Sequence, residues 1–172
     1  MVENVDKEVE NVDKEVENVD KEMALVESLR GKFGDGIKEQ EVKPKRIKIS
    51  TSREMIKDVA RAVKDLGFEQ VIAAGGTDYP KDNIYSLVYY AISVSKEELR
   101  PIMFAIMITL PKDDASTPTL IDVWKSAEYH EQETFENLGI IFEGHPRMEK
   151  LLLPEDWDDI PPLRKDFVLP GR

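Results

Sequence analysis

The chain has 172 residues, which is enough for one domain with extensions, and 41% of its residues are hydrophobic. It contains no cysteine, and this excludes disulfides, thiolate-held zinc and iron–sulfur clusters bound by this chain. Its net charge of −11 argues against a nucleic-acid partner, because proteins that bind phosphate backbones present basic faces.

The N-terminal segment is a single unit, VENVDKE, written three times over residues 2–22. As a heptad it places valine at every a and d position, which is typical of a short coiled-coil strand. The flanking e and g positions are acidic and would repel in a parallel self-pair. The alternatives are therefore self-association, a frayed or partner-bound helix, and a solvated segment without fixed structure.

Residues 31–44 contain three glycines and Pro44, and they are predicted as a linker or turn. The run GKFGDG lacks the preceding strand and the Lys-Ser/Thr pair of a phosphate-binding loop. The predicted domains are accordingly an N-terminal extension and linker (1–44), an α+β domain (45–143) and an extended tail (144–172).

The middle of the chain alternates between strand and helix patterns. Thr51 and Glu54 have the spacing of a capping box, and the helix that follows is expected to end at Gly67. A second helical pattern runs from Thr119 to about Leu138, with a break near Ser126. The order predicts a small α+β sheet of about four strands with helices packed on one face. The predicted strands are Arg46–Ser50, Phe68–Ala74, Asn83–Ser95 and Pro101–Leu110, the last of them central because it is uniformly apolar.

The C-terminal tail, residues 144–172, holds five of the ten prolines and cannot be a single helix or a central strand. Its leucines, Trp157 and Phe167 nevertheless need a dry surface. We expect this tail to lie along another protein and to be weakly ordered without one.

The histidines suggest one catalytic alternative. His130 begins a run, HEQET, that is similar to a zinc-protease motif but has Thr134 where the second histidine belongs. A metal-dependent enzyme using His130, Glu133 and His145 is therefore the rival hypothesis from a different class. The pair Glu133 and Glu136 shares a helix face and is expected to be solvated or to bind a neighbouring chain.

The segment from Ala127 to Phe167 resembles the signature of the 30-kilodalton subunit family of respiratory complex I, a module also found in membrane-bound energy-converting hydrogenases. The sequence departs from that pattern at Gln132, Glu136 and Glu149-Lys150, which indicates a divergent branch near the hydrogenase-type or sulfur-reducing archaeal members. The matching residues are Glu131-Gln132-Glu133, Glu136, Gly139-Ile140, Phe142, Gly144-His145-Pro146, Leu151-Leu152-Leu153-Pro154, Asp156-Trp157 and Pro162-Leu163-Arg164-Lys165-Asp166-Phe167.

The resemblance implies a non-catalytic subunit that holds no cofactor and sits peripherally on the cytoplasmic face of the membrane. Its partner would be the large catalytic subunit, of the 49-kilodalton or hydrogenase large type, with a small iron–sulfur subunit nearby and the membrane arm contacted indirectly. Iron–sulfur clusters, and a nickel–iron centre in the hydrogenase type, would lie in other subunits. The resemblance also leaves open a sulfane or sulfur reductase, a quinone-reducing NADH dehydrogenase, and a free-standing adaptor that binds through the repeat.

The same resemblance, together with the tail composition, gives the predicted partner contacts. Arg164 is expected to form a bidentate pair with a partner carboxylate. The full predicted set is Glu131, Glu133, Phe135, Glu136, His145, Pro146, Trp157, Leu163, Arg164, Lys165, Asp166 and Phe167.

Overall fold

The computed structural model describes residues 19–154 and 156–168. Within these ranges three α-helices and seven strands follow one another in a mixed α+β order. The helices are α1 (19–33), α2 (Ile56–Leu66) and α3 (Ala127–Leu138). The strands are β1 (Ile37–Lys43), β2 (Arg46–Thr51), β3 (Gln70–Tyr79), β4 (Ile84–Ile92), β5 (Met103–Pro111), β6 (Ser116–Pro118) and β7 (Ile141–Glu143).

The main sheet has five strands in the order β1-β2-β5-β4-β3. The β2–β5 pair is parallel and the other neighbours are antiparallel, while β6 and β7 form a separate parallel pair. The apolar strand β5 is therefore central, as its composition predicts. The α+β class is confirmed, with one more strand in the sheet than the four expected.

One face of the sheet carries the core, because side chains alternate between faces along a strand. On β4 and β5, Tyr89 lies opposite Ile106 and Leu87 opposite Ile108, and all four are fully buried. The buried residues of α1 and α2 belong to the same hydrophobic core. The opposite face, with residues such as Tyr90 of β4, is only half-buried.

The prediction that residues 31–44 form a linker or turn is wrong. Those residues contain the end of α1, one turn of 3₁₀-helix and β1, which pairs antiparallel with β2. Upstream of them, Val26 and Leu29 are buried in the main core. A charged edge strand with a bulge between Glu39 and Glu41 does not show the alternation by which strands are recognised. The wider division into three domains stays a prediction, and residues 2–18 of the heptad repeat lie outside the described residues.

The capping box predicted at Thr51 and Glu54 is also wrong. Helix α2 begins at Ile56 after Met55, which makes no side-chain capping bond. Thr51 is the last residue of β2, and its hydroxyl donates to the Gly36 carbonyl at 2.8 Å. The end of the helix at Gly67 is confirmed, because that residue has a φ of 119°, in the left-handed region that favours glycine.

The helical pattern predicted from Thr119 is confirmed only after Ser126, because α3 begins at Ala127 and residues 119–126 form turns and irregular backbone instead of a helix. The Ser126 hydroxyl accepts the Val71 N–H at 3.0 Å, which joins the start of α3 to β3. The helix ends at Gly139, where φ is 79° and the N–H donates to the Phe135 carbonyl. Within the described ranges, no helix is both long enough and apolar enough to cross a membrane.

Close packing of α3 against β3 requires a glycine at position 76. A Cβ atom there would lie 2.4 Å from Leu138 Cδ1 and 3.3 Å from Ile140 Cδ1, and both of those side chains are buried. A Cβ on the neighbouring Gly75 would meet no atom within 4 Å. We expect Gly76→Val to lower the free energy of unfolding by about 1–3 kcal/mol, the usual cost of overpacking.

The measurement is urea unfolding of both variants against the parent chain. Gly75→Val is the matched control and should leave stability unchanged or raise it, because valine favours strands. Equal destabilisation by the two substitutions would contradict the close contact between α3 and β3.

Candidate interface formed by the C-terminal tail

Helix α3 is covered on two sides, by the sheet on one and by the tail on the other. Polar as well as apolar side chains of this helix are buried as a result. Its buried residues are Ala127, Glu131, Gln132, Thr134, Glu136 and Leu138. Because buried polar groups need hydrogen-bond partners, the carboxylates of α3 show where the helix is attached to its surroundings.

Glu131 binds inward. Its carboxylate has no exposed surface and accepts hydrogen bonds from Tyr89 Oη at 3.0 Å, the Leu120 N–H at 2.8 Å and the Thr119 hydroxyl. Burial raises the pKa of Glu131 above its ordinary value, and these three donors oppose that rise. The prediction that Glu131 contacts a partner is therefore corrected, because its carboxylate joins α3 to β4 and to the loop before the helix.

Glu136 binds the tail. Its carboxylate accepts the consecutive backbone N–H groups of Leu151, Leu152 and Leu153 at 2.7–3.3 Å. Successive N–H groups that point at one anion form a nest, a recurrent anion-binding arrangement of the backbone. Glu136 is 5% exposed, so in this chain it is occupied by the tail itself.

Asp78 holds the tail at a second point and was not identified from the sequence. Its buried carboxylate accepts the Lys165 N–H at 2.8 Å and lies 2.6 Å from Lys112 Nζ. Burial raises the pKa of Asp78, but the Lys112 ammonium and the Lys165 N–H together outweigh it and bring the net pKa below its ordinary value. The sequence carries no local signal for this role, because the register that sets Asp78 opposite Tyr85 on the buried face is seen only in the structure.

Other contacts fix the rest of the described tail to α3 and to itself. The Leu163 N–H donates to the Asn137 carbonyl at 2.9 Å, and the rings of Trp157 and Phe167 lie 5.8 Å apart. Arg164 forms its bidentate pair within the chain, with Nε and a terminal nitrogen donating to Asp166 at 2.9 and 2.6 Å. The Arg164 guanidinium, expected to pair with a carboxylate of a partner, therefore pairs with Asp166 of the same chain.

His145 also has both ring nitrogens in use. Nδ1 accepts the Arg147 N–H at 3.1 Å, which leaves the proton on Nε2 to donate to the Glu128 carbonyl at 3.1 Å. His130 Nδ1 lies 3.9 Å from a Glu133 oxygen. In the described ranges no three His, Asp or Glu side chains are grouped so that they could hold a metal ion. His130, Glu133 and His145, the residues of the alternative metal-dependent enzyme, are therefore not arranged as a metal site.

The tail binds its own domain largely through backbone N–H groups and leaves apolar side chains in solvent. Leu152 is 70% exposed, Leu163 59% and Val168 72%. Of the other predicted contact residues, Pro146, Lys165 and Asp166 are exposed, whereas Glu133, Phe135, Trp157 and Phe167 are half-buried. Leu152, Leu163 and Val168, which we call the apolar row of the tail, are large apolar side chains left exposed along its backbone, and such side chains are suited to docking on a protein.

The chain is similar to known proteins over most of its length. Residues 49–172 match the family model described as the 30 Kd subunit of respiratory-chain NADH dehydrogenase. The chain is 32% identical over 145 residues to one subunit of the F(420)H(2) dehydrogenase of Methanosarcina mazei, and the match covers 83% of this chain and 89% of that protein. It is 34% identical over 149 residues to one subunit of the NADH-quinone oxidoreductase of a Roseiflexus species, covering 84% and 83%.

A solved structure is also similar. It contains the membrane-bound sulfane sulfur reductase, described as an archaeal respiratory membrane complex. The superposition with one of its chains has a TM-score of 0.76 at 25% identity and covers 87% of this chain and 86% of that chain. The likeness therefore extends over most of both chains.

The Glu136 nest generates a prediction for local opening of the tail. Glu136→Gln replaces one acceptor oxygen by a donor and should weaken hydrogen bonds worth about 1.5–3 kcal/mol when the acceptor is charged. Amide hydrogen exchange at Leu151–Leu153 should accelerate roughly tenfold or more. The control is Glu133→Gln, one helical turn earlier and half-exposed, which should leave these amides unchanged. If Glu133→Gln accelerated exchange at these amides and Glu136→Gln did not, the assignment of Glu136 as their acceptor would be contradicted.

The Asp78 attachment predicts a pH dependence. Because its folded-state pKa is lowered, the contact stabilises the fold above the unfolded-state pKa and is lost as pH falls through the folded-state pKa. The amide shift of Lys165, followed by NMR, should move in acid, below the ordinary aspartate value of 3.8. Asp78→Asn should remove this transition, and its persistence in that variant would show that another group controls the tail.

Proposed function

The chain belongs to the family of the 30 kDa subunit of respiratory-chain NADH dehydrogenase, and we propose that it docks on the large catalytic subunit of a membrane-bound oxidoreductase complex and stabilises it. In this proposal the chain holds no cofactor and performs no chemistry itself. It lies peripherally on the cytoplasmic face of the membrane, with a small iron–sulfur subunit nearby.

One observation carries the proposal: the tail presents an apolar row outward while its backbone is fixed. Interfaces gain most of their affinity from a few well-packed residues that become fully desolvated. A tail already held by Glu136 and Asp78 loses little further conformational freedom when it binds, so burial of Leu152, Leu163 and Val168 is offset less by ordering.

The relatives named above support a complex of this general kind. They are subunits of an F(420)H(2) dehydrogenase and of an NADH-quinone oxidoreductase, and the similar solved chain belongs to a sulfane sulfur reductase. Electron transfer in such a complex requires iron–sulfur clusters, and we assign these, with any nickel–iron centre, to other subunits, because this chain has no cysteine.

No geometric observation favours the metal-dependent enzyme. Both ring nitrogens of His145 are engaged by backbone groups, and His130 Nδ1 lies 3.9 Å from a Glu133 oxygen. The interface role therefore stands as the function that the site supports best.

The docking role predicts that tail variants lose a partner without losing their own fold. Leu152→Glu and Leu163→Glu place a charge on the exposed row, and each should cost about 2 kcal/mol or more of binding if the residue is an interface anchor. Affinity purification of the tagged chain from its native host should then recover much less of a cysteine-containing large subunit, identified by mass spectrometry.

The matched control is Val94→Glu, which also replaces an exposed apolar residue but lies away from the tail, after β4. All three variants should melt at the temperature of the parent chain. Undiminished recovery of the large subunit with both tail variants would refute docking through this row, and an equal loss with Val94→Glu would place the interface elsewhere.

A further inference from the structure

The outer face of the main sheet has no helix packed on it among the described residues. We define this outer face as the strand side chains directed away from the core. Its apolar centre consists of Val88, Tyr90, Met103 and Met107, which are only half-buried. A half-buried apolar sheet surface is normally covered by another layer.

The outer face contains two shallow hollows. One, of about 200 Å³, is lined by residues that include Arg46, Lys48, Tyr90 and Met103. The other, of about 490 Å³, is lined by residues that include Lys38, Gln40, Ser50 and Met107. Met103 lines the first hollow and Met107 lines the second, and both residues lie on β5. The two hollows are therefore neighbours along that strand.

The charge of this face is opposite to that of the chain. On this face, β1 and β2 place the four bases Lys38, Lys43, Arg46 and Lys48 against one acid, Glu41, because the second acid of β1, Glu39, lies opposite the buried Ile49. The whole chain, in contrast, has a net charge of −11. The outer face thus combines an apolar centre with a basic border, and a complementary occupant would combine an apolar stripe with acidic flanks.

We propose that this occupant is the N-terminal heptad repeat of the same chain. Residues 2–18 contain seven carboxylates against two lysines, with valine at each a and d position. Such a segment, as a helix, presents a valine stripe between two acidic borders. The stripe covers Tyr90, Met103 and Met107, and the acids lie beside Arg46, Lys48 and Lys38.

The place where the repeat joins the fold supports this arrangement. Glu22 accepts the Lys45 N–H in the turn between β1 and β2, and Lys21 Nζ donates to the Glu98 carbonyl before β5. The Lys45 carbonyl in turn accepts the Met103 N–H at 2.9 Å. Residues 21 and 22 therefore lie at the end of the sheet where Arg46 and Met103 lie, and the repeat segment ends only three positions before them in the sequence.

The length of the repeat also fits. Seventeen residues of helix extend about 25 Å, and the nine residues of β5 extend roughly 30 Å at about 3.3 Å per residue. A turn is needed between the repeat and α1, and Asn18 is a residue type that ends one helix or begins another. The repeat is thus long enough to run along β5 over both hollows.

The test uses the full chain and its lack of cysteine. Asn11→Cys introduces a single site for a nitroxide spin label, and the methionine methyl groups are observed by NMR. Docking of the repeat predicts loss of the Met103 and Met107 methyl signals, with Met148 of the tail unaffected as an internal control. High salt should restore the lost signals, because the contact is partly electrostatic.

The double substitution Arg46→Glu and Lys48→Glu should also restore the Met103 and Met107 signals, whereas Lys32→Glu with Lys125→Glu, at exposed sites away from the outer face, should not. Unbroadened Met103 and Met107 signals in the labelled parent would overturn the proposal. A second sample mixes isotope-labelled chains without the spin label with separate spin-labelled chains. Equal broadening of Met103 and Met107 in that mixture would also overturn the proposal, because the occupant would then be a second copy.

Discussion

The arrangement of the C-terminal half depends on where a proline-rich backbone finds acceptors for its N–H groups. The described part of the tail, residues 144–154 and 156–168, runs outside both sheets, so no strand ladder satisfies its N–H groups, and unsatisfied N–H groups are costly where water is excluded. Two carboxylates on regular elements supply the acceptors, Glu136 on α3 and Asp78 on β3. Each is itself buried, so the tail and the globular part are attached through charge-assisted hydrogen bonds.

This attachment explains why α3 carries so many polar residues and is still buried. A helix on a protein surface has one apolar stripe, but α3 lies between a sheet and a tail that offers mainly backbone donors. Glu131 faces the core side and Glu136 the tail side, and each carboxylate is matched by three residues that donate to it. The tail side chains are consequently free to project outward, which is the property that the interface proposal requires.

Much of the fold could be predicted from the sequence, because its central elements have simple periodicity. The apolar strand β5, the α2 helix ending at Gly67 and the end of α3 at Gly139 all follow from local pattern. Strand β1 could not be predicted, because its charges and bulge protect an edge and conceal the alternation.

The candidate site was located only in part. Motif residues mark the right segment, but a motif does not show whether a carboxylate faces a partner or its own chain. The motif predicts that Glu131 faces a partner, whereas it lies in the core, and no motif marks Asp78, because its donor, Lys165, is 87 residues away. Contacts of that sequence separation depend on topology, which local reasoning does not supply.

The parallel pairing of β2 with β5 has a consequence for biosynthesis. The β1–β2 and β3–β4 hairpins are joined into one sheet only through β5, which is inserted between them although it follows both along the chain. During translation the two hairpins are therefore complete while the apolar inner edges of β2 and β4 are still unpaired. A nascent chain that pauses before residue 103 presents two open sheet edges, and this stage is the one at which aggregation or chaperone capture competes with folding.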